Sequence, residues 1–318
     1  MSKALSELKI ALIAKASPET CKVLAKDVAT IESSGLFAQV KVYESLYAGH
    51  SVELARAACG EYDYLVAVGG DGTLHEVSNG CLSAKRENAD LIIPAIGVLA
   101  RGTANDFVKS LASKGSAAEL VSQIKQGCVC NVDVGTLRYQ NAEHETEHCY
   151  FLNVSSVGIG GMVAKKINRR NKLLGANVTF ISSIVETLIN YKFDTLTVTS
   201  DEGLHWTGKT LALVAANAKY FGSGLCIAPA ARLDDGRLNI TLIGKVGVLD
   251  FALKLLDLKR GKKVKHPQVQ YHEARHIEVT SMGRPCALEA DGEFIGYTPL
   301  TIGMAEQQLP VLMASPPQ

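Results

Sequence analysis

Long apolar runs are missing from this chain of 318 residues. None approaches the roughly 20 residues that a membrane-spanning helix needs. A secretion signal is missing as well, because Met1 to Leu12 mixes Lys3, Glu7 and Lys9 among its apolar residues. These two absences predict a soluble, cytoplasmic protein. Neither sign of charge is in excess: 33 Lys and Arg stand against 32 Asp and Glu, so no overall basic field exists to attract nucleic acid. The eight cysteines, at 21, 59, 81, 128, 130, 149, 226 and 286, form no Cys-x-x-Cys pair. Cys128-Val129-Cys130 has the wrong spacing for a metal knuckle, so the cysteines read as reduced thiols acting as small apolar residues. Internal repeats and low-complexity linkers are also lacking.

What is present is a hydrophobic fraction of 47%, ordinary for a folded protein, in a length that favours two domains. The first part alternates strand-like and helix-like segments. Strands are expected at Leu8 to Ala14, Gln39 to Tyr43, Tyr64 to Val68 and Leu91 to Val98, with helices at Pro18 to Ser33 and Ser51 to Cys59. Such alternation predicts a parallel sheet with helices on both faces, a three-layer α/β/α domain. Beyond about Asp133 the texture turns β-rich, with strand-like segments at 150–155, 195–200, 210–216, 237–243 and 276–280. That spacing fits an antiparallel sheet or sandwich with two helical inserts, Val178 to Tyr191 and Val248 to Leu258. The expected division is 1–135 and 136–301, with 302–318, including a last strand at Leu309 to Met313, joining the first domain.

Two glycine joints carry the chemistry. Gly69-Gly70-Asp71-Gly72-Thr73 lies between a strand and a helix, where glycines let a ligand approach the main chain and free N–H groups attract phosphate. In open parallel sheets such loops sit at the carboxyl ends of strands, where ligands bind. Asp71 beside a phosphate needs Mg²⁺ or a hydroxyl proton between them, which points to phosphoryl chemistry. A tight turn with a capping Asp or Thr is the plainer alternative. The joint matches neither the Walker A nor the Rossmann pattern. A second loop, Gly97 to Phe107, repeats the arrangement of glycine, polar cluster and helix on the next strand.

GGDGTLHEVSNG followed by GTANDF resembles the diacylglycerol kinase catalytic domain superfamily, which includes sphingosine kinases and bacterial lipid kinases of YegS type. APAARLDDGRL at 228–238, KHPQVQY at 265–271 and EADGE at 289–293 follow in the family's order and extend the likeness over nearly the whole chain. The resemblance implies an NAD kinase/diacylglycerol kinase-like first domain that binds nucleotide and a β-sandwich second domain that binds lipid and metal. It implies an ATP-dependent, Mg²⁺-requiring kinase that phosphorylates a hydroxyl of a glycerolipid, either diacylglycerol or phosphatidylglycerol. The nucleotide set carried over is Gly70, Asp71, Gly72, Thr73, Leu74, His75 and Glu76, with Thr103 from the second loop. Ser45 takes the place of a family threonine. Glu293 is the favoured general base, with Asp71 organising Mg²⁺ and water; in some relatives the base is the residue matching Asp71. The side chain of Asp235 and the carbonyls of Arg232 and Arg237 match a structural magnesium loop, and Asp133 resembles the family acid at the domain junction, where it would join an Asp–water–Mg²⁺ network with Asp71.

The loop after the first strand departs from the family pattern, and two clusters of positive charge stand out. The family's Asn-Pro-x-Ser-Gly is replaced by Ala14-Lys15-Ala16-Ser17-Pro18, where Lys15 is a candidate phosphate contact. Lys259, Arg260, Lys262, Lys263 and Lys265 form one basic cluster, and Lys165, Lys166, Arg169, Arg170 and Lys172 another. Solvated faces are the plain account of both; transient docking at the inner membrane face is the alternative, since a lipid kinase works at a bilayer. Lys172 lies within a few residues of a lysine that bears on catalysis in relatives, whose soluble members suggest a homodimer. Rival functions are an NAD kinase, which shares GGDG but lacks GTANDF, a 6-phosphofructokinase, and a non-catalytic nucleotide-binding regulator favoured by the altered first loop.

Overall fold

The computed structural model describes residues 7–16, 18–168 and 176–313; the side chains of 18–21, 168 and 176–181 lie outside that description. Two units emerge. One takes the described residues of Met1–Val132 and Gln307–Gln318, the other Asp133–Glu306.

The first unit runs β1 (Leu8–Lys15), α1 (Pro18–Glu32), β2 (Phe37–Ser45), α2 (His50–Ala58), β3 (Tyr64–Gly69) and α3 (Asp71–Glu87). It continues with β4 (Ala95–Ala100), α4 (Asp106–Ser110), α5 (Ala117–Gln126) and β5 (Val129–Val132). Its sheet has the order β2-β1-β3-β4, then the C-terminal strand Leu309–Leu312, then β5. All neighbours are parallel except β5, which runs against the C-terminal strand. Ile10, Ala11, Leu12 and Ile13 are all fully buried, as expected of a central strand covered on both faces. Because the chain steps from β1 outward to β2 and then returns to place β3 on the other side, the strand order reverses at β1. The carboxyl ends of β1 and β3 therefore flank a switch point, the usual place for a ligand in such sheets.

The fourth strand begins later than its apolar run suggests. Leu91 and Ile92 stay outside the sheet, with Ile92 83% exposed, and pairing with β3 starts at Ala95 opposite Tyr64. Pro94 has no N–H to give a ladder, so the strand opens after it. Helix α5 was not expected. Ser116 caps it by accepting the Glu119 N–H, and Gly127 in the left-handed region ends it.

The second unit is antiparallel. Its strands are β6 (Gly135–Gln140), β7 (Thr146–Phe151), β8 (Val154–Gly158), β9 (Asp194–Ser200), β10 (His205–Thr210) and β11 (Ala212–Ala216). A short separate ribbon follows, β12 (Tyr220–Phe221) with β13 (Leu225–Cys226). The remaining strands are β14 (Leu238–Ile243), β15 (Val269–Ala274), β16 (His276–Met282), β17 (Ala287–Ala290) and β18 (Glu293–Met304). The main sheet runs β10-β9-β16-β18-β17-β8-β11-β14-β15, with β6 pairing both β18 and β7. Helices α6 (Ile159–Asn168), α7 (Ala176–Ile189) and α8 (Val248–Lys259) supply a second layer. Strand β11 shows how both faces are used. Leu213 and Ala215 join one core with Phe151, Val157 and Ile240, whereas Ala212, Val214 and Ala216 join another with Val163, Leu188 and Leu258. Among the described residues no helix is long and apolar enough to cross a membrane, and the seven described cysteines are free thiols.

Gly135 lies opposite Phe151 across β6 and β7, and a Cβ there would stand 2.1 Å from the Phe151 ring. The ring is fully buried and has nowhere to go. Gly135→Ala is expected to cost about 1–3 kcal/mol, the usual penalty for overpacking a filled core, read as a lowered urea midpoint.

Candidate functional site

In the first unit the two glycine loops are built into one object. Gly70 stands in extended backbone as the N-cap of α3, and the Asp71 side chain reaches across to the second loop. Its Oδ2 accepts the Asp106 N–H at 3.0 Å and its Oδ1 the Phe107 N–H at 3.0 Å. These are the first amides of α4, which have no acceptor within the helix itself, so Asp71 caps a helix 35 residues away in sequence. Gly102 and Gly70 meet main chain to main chain: a Cβ on Gly102 would stand 2.2 Å from the Gly70 Cα. The Arg101 N–H donates to the Gly69 carbonyl at 2.8 Å. Asn105 sits at φ 49, in the left-handed region, and its Nδ2 closes the loop on the Gly102 carbonyl at 2.8 Å. Only two glycines permit this crossing, so the glycines are there for backbone approach as well as turning.

Around the crossing the charges are arranged from other elements. Lys15 Nζ, at the carboxyl end of β1, lies 3.6 Å from Glu76 Oε1 on α3. The other Glu76 oxygen is buried and has no hydrogen-bond partner among the described residues. An unmet buried carboxylate oxygen is costly, and a donor from a ligand would relieve it. Arg101 is drawn away by Asp27 of α1, which accepts its Nε at 3.1 Å and its Nη2 at 2.7 and 2.6 Å. Of the sequence-derived nucleotide set, Gly70, Asp71, Gly72, His75 and Glu76 are half-buried and Thr103 is exposed. Thr73 and Leu74 are buried, with the Thr73 hydroxyl packed where a Gly69 side chain would be. Their contribution to a ligand would come from main chain. His75 is bonded to Asn79 one turn on. Ser45 is buried at the end of β2, its hydroxyl directed to the Tyr47 carbonyl at 3.5 Å.

In the second unit the EADGE stretch forms a two-residue hairpin between β17 and β18. Asp291 and Gly292 have φ of 49 and 89, and Ala290 pairs with Glu293 across the turn. Two positive-φ residues give the turn whose twist suits a hairpin, which is why Asp-Gly occurs there. Asp291 is held beyond its turn. Its Oδ2 accepts from Leu152 at 3.0 Å, and its Oδ1 from Asn153 at 2.8 Å and Val154 at 3.2 Å. Buried Glu289 accepts the Ser156 hydroxyl at 2.6 Å and the Gly292 N–H at 2.8 Å. Half-buried Glu293 thus starts β18 on a hairpin anchored by two other acids. Asp291 and Glu289 as anchors were missed from sequence, although both lie in the quoted motif.

The Arg232–Arg237 turn lies in the same unit. Gly236, at φ 67, gives its N–H to Asp133 Oδ2 at 2.6 Å, and Asp133 in turn donates its own N–H to the Leu233 carbonyl at 2.6 Å. Asp235 Oδ1 accepts the Arg237 N–H at 3.0 Å. Burial raises the Asp235 carboxyl above its ordinary value; the Arg237 N–H opposes this, and the negative charges of Asp133 and Glu273 add to it. The arginine side chains turn to acids, Arg232 to Asp234 and Arg237 to Glu202, so any metal ligation by them falls to their carbonyls. Among the described residues no group of three His, Cys, Asp or Glu is placed to hold a metal. One carboxylate in an acidic setting, with main-chain oxygens, remains compatible with a hard cation that keeps most of its waters. Ser17, Arg169, Arg170 and Lys172 lie outside the described residues.

Crossed glycine loops at a parallel-sheet switch point in one unit, and an antiparallel β-rich second unit, define the class as the diacylglycerol kinase/NAD kinase architecture. The profile of the diacylglycerol kinase catalytic domain matches residues 15–137, and that of the YegS C-terminal NAD kinase beta sandwich-like domain matches 153–313. The chain belongs to the diacylglycerol kinase family of lipid kinases, which are transferases. A diacylglycerol kinase of Staphylococcus carnosus is 25% identical over 291 residues, 91% of this chain and 89% of the relative. One from Staphylococcus aureus strain Newman is 28% identical over 261 residues, 82% of this chain and 78% of the relative. The crystal structure of a diacylglycerol kinase from Bacillus anthracis aligns with TM-score 0.69 at 18% identity, covering 96% of each chain. Yeast NADH kinase aligns with TM-score 0.55 at 10% identity, over 97% of this chain and 84% of that one, a likeness of fold.

Asp71→Ala removes the acceptor of two main-chain N–H groups. It should cost about 1–2 kcal/mol, as for a lost helix cap. The local signature is faster hydrogen exchange at the Asp106 and Phe107 amides with the β1–β3 core amides unchanged.

Proposed function

We propose that this chain transfers the γ-phosphate of ATP to a hydroxyl of a glycerolipid, diacylglycerol or phosphatidylglycerol, with Mg²⁺ required and Glu293 as general base. The observation that carries the reading is the Asp71 bond to Asp106 and Phe107, which fuses the two glycine loops beside the start of α3. Bare main chain at a helix start is the natural seat for phosphate. The unmet Glu76 oxygen would accept a donor from the nucleotide, and Lys15 would add positive charge in place of the missing Asn-Pro-x-Ser-Gly loop.

Asp71 already accepts two main-chain N–H groups, so its part is to hold the loops and orient water rather than to take the substrate proton. Glu293, presented by a rigid hairpin, takes that proton. The lipid hydroxyl oxygen attacks the γ-phosphorus, the bond to the β-phosphate oxygen breaks, ADP leaves and the proton passes to the Glu293 carboxylate. Mg²⁺, when bound, neutralises charge on the phosphates. At the Arg232–Arg237 turn the residues that would hold a structural ion are Asp235 and the carbonyls of Arg232 and Arg237, with Asp133 fixing the turn. The enzyme would work in the cytoplasm and transiently at the inner membrane face, on a lipid partner.

The altered first loop favours one other reading, a nucleotide-binding regulator without transfer. Transfer of labelled γ-phosphate from ATP to a panel of lipids in mixed micelles, with and without Mg²⁺, separates the two: ATP binding without any lipid product would point to the regulator. Glu293→Gln should lower transfer at least about 100-fold, the usual contribution of a positioned base, while ATP affinity stays near wild type; a fully active variant would remove Glu293 as base. Gly102→Ala forces the loops apart at Gly70 and should weaken ATP binding at least tenfold by calorimetry, about 1.4 kcal/mol.

A further inference from the structure

Helix α8 is apolar on both sides. Phe251, Leu255 and Leu258 face inward and pack in the second unit's core with Val246 and Val264. Leu249, Leu253 and Leu256, at the spacing of one helical stripe, face outward with exposures of 73%, 66% and 52%. A surface helix ordinarily turns charged or polar residues to solvent. Here the polar residues are confined to a flank, where Lys254 and Asp257 pair at 3.7 Å. Three solvent-facing leucines on one stripe are too concentrated to be the scattered apolar exposure every surface has.

The cations adjoin this stripe. Lys259, Arg260, Lys262, Lys263 and Lys265 follow at once, all exposed, with no acid among residues 259–265. The tract is folded, not trailing. The Arg260 N–H donates to the Leu256 and Asp257 carbonyls, and the Lys262 N–H to Asp257 at 3.0 Å. Val264 is buried and its N–H donates to the Tyr271 hydroxyl at 2.9 Å, while Lys263 stands 5.3 Å from the Tyr271 ring centre. One or two cations would suffice to complement the helix carboxyl end. Five, held beside an outward leucine stripe, match the chemistry of an anionic lipid interface, apolar below and negative at the surface.

We infer that the outward face of α8 and the 259–265 tract form a docking surface for anionic bilayers, Leu249, Leu253 and Leu256 entering the interface and the cations meeting the headgroups. The surface deepens the lipid-kinase reading, since it would bring the enzyme to its substrate, but its geometry stands without it.

Cosedimentation of the full chain with vesicles, without ATP, tests it. Phosphatidylcholine vesicles are compared with the same vesicles carrying phosphatidylserine, an anionic lipid that is not a proposed substrate. The wild-type chain should bind the anionic vesicles, and added salt should weaken binding. Lys259→Gln and Lys263→Gln should each weaken it about fivefold. Leu253→Ser with Leu256→Ser should abolish most binding while the urea midpoint stays at wild type, because both side chains already face water. Unchanged anionic binding by these variants overturns the proposal. A leucine variant that keeps vesicle binding but turns a dimer into a monomer overturns it in favour of a contact between copies. Activity on short-chain, water-soluble diacylglycerol or phosphatidylglycerol keeps the two readings apart. The leucine variants should retain it if the surface only docks. If the wild type lacks it but still binds anionic vesicles, the kinase reading fails and the surface stands.

Discussion

The carboxylate of Asp71 accepts the N–H groups of Asp106 and Phe107, and the glycines beside it, Gly70 and Gly102, pack main chain on main chain. Helix α4 has five residues, too few to be stable by its own hydrogen bonds. It holds its place because an anion from the preceding loop occupies its amino end. The same contact sets where Thr103 stands and how far apart the two loops can be. Side chains at either glycine would separate the backbones and undo the cap.

A parallel device operates in the second unit. Asp291 takes three N–H groups from residues 152–154, and Glu289 takes one from Gly292 and a hydroxyl from Ser156. Hydrogen bonds to charged groups are worth about 1.5–3 kcal/mol each, enough to hold a turn whose two central residues both sit at positive φ. In each unit one aspartate is spent on holding loops, Asp71 in the first and Asp291 in the second.

Much of this was legible in one dimension. The glycine joints were visible because the need for bare backbone is written directly as glycine, and Asp-Gly at 291–292 because only a few residues tolerate that turn. Continuous apolar runs located β1 and β3. The run at 91–93 misled, since apolarity does not reveal that Pro94 bars entry to the sheet. Helix α5, strand β5 and the β6–β7 hairpin escaped notice, their patterns being short and bordered by polar residues. The anchoring roles of Asp291 and Glu289 were hidden because Leu152, Asn153, Val154 and Ser156, the partners that tie them to the sheet, lie more than 130 residues away.

By itself the sequence determined the two textures of the chain, the glycine loops, the hairpin that carries Glu293 and the family to which the chain belongs, because each depends on local backbone freedom or on spacing along the chain. Tertiary structure alone decided that Asp71 caps α4, that the C-terminal strand lies between β4 and β5, and that one of the two apolar faces of α8 is left uncovered. Spacing records which residues are apolar or can accept a hydrogen bond. Which of them find a partner depends on contacts between distant segments, and those exist only once the chain has folded.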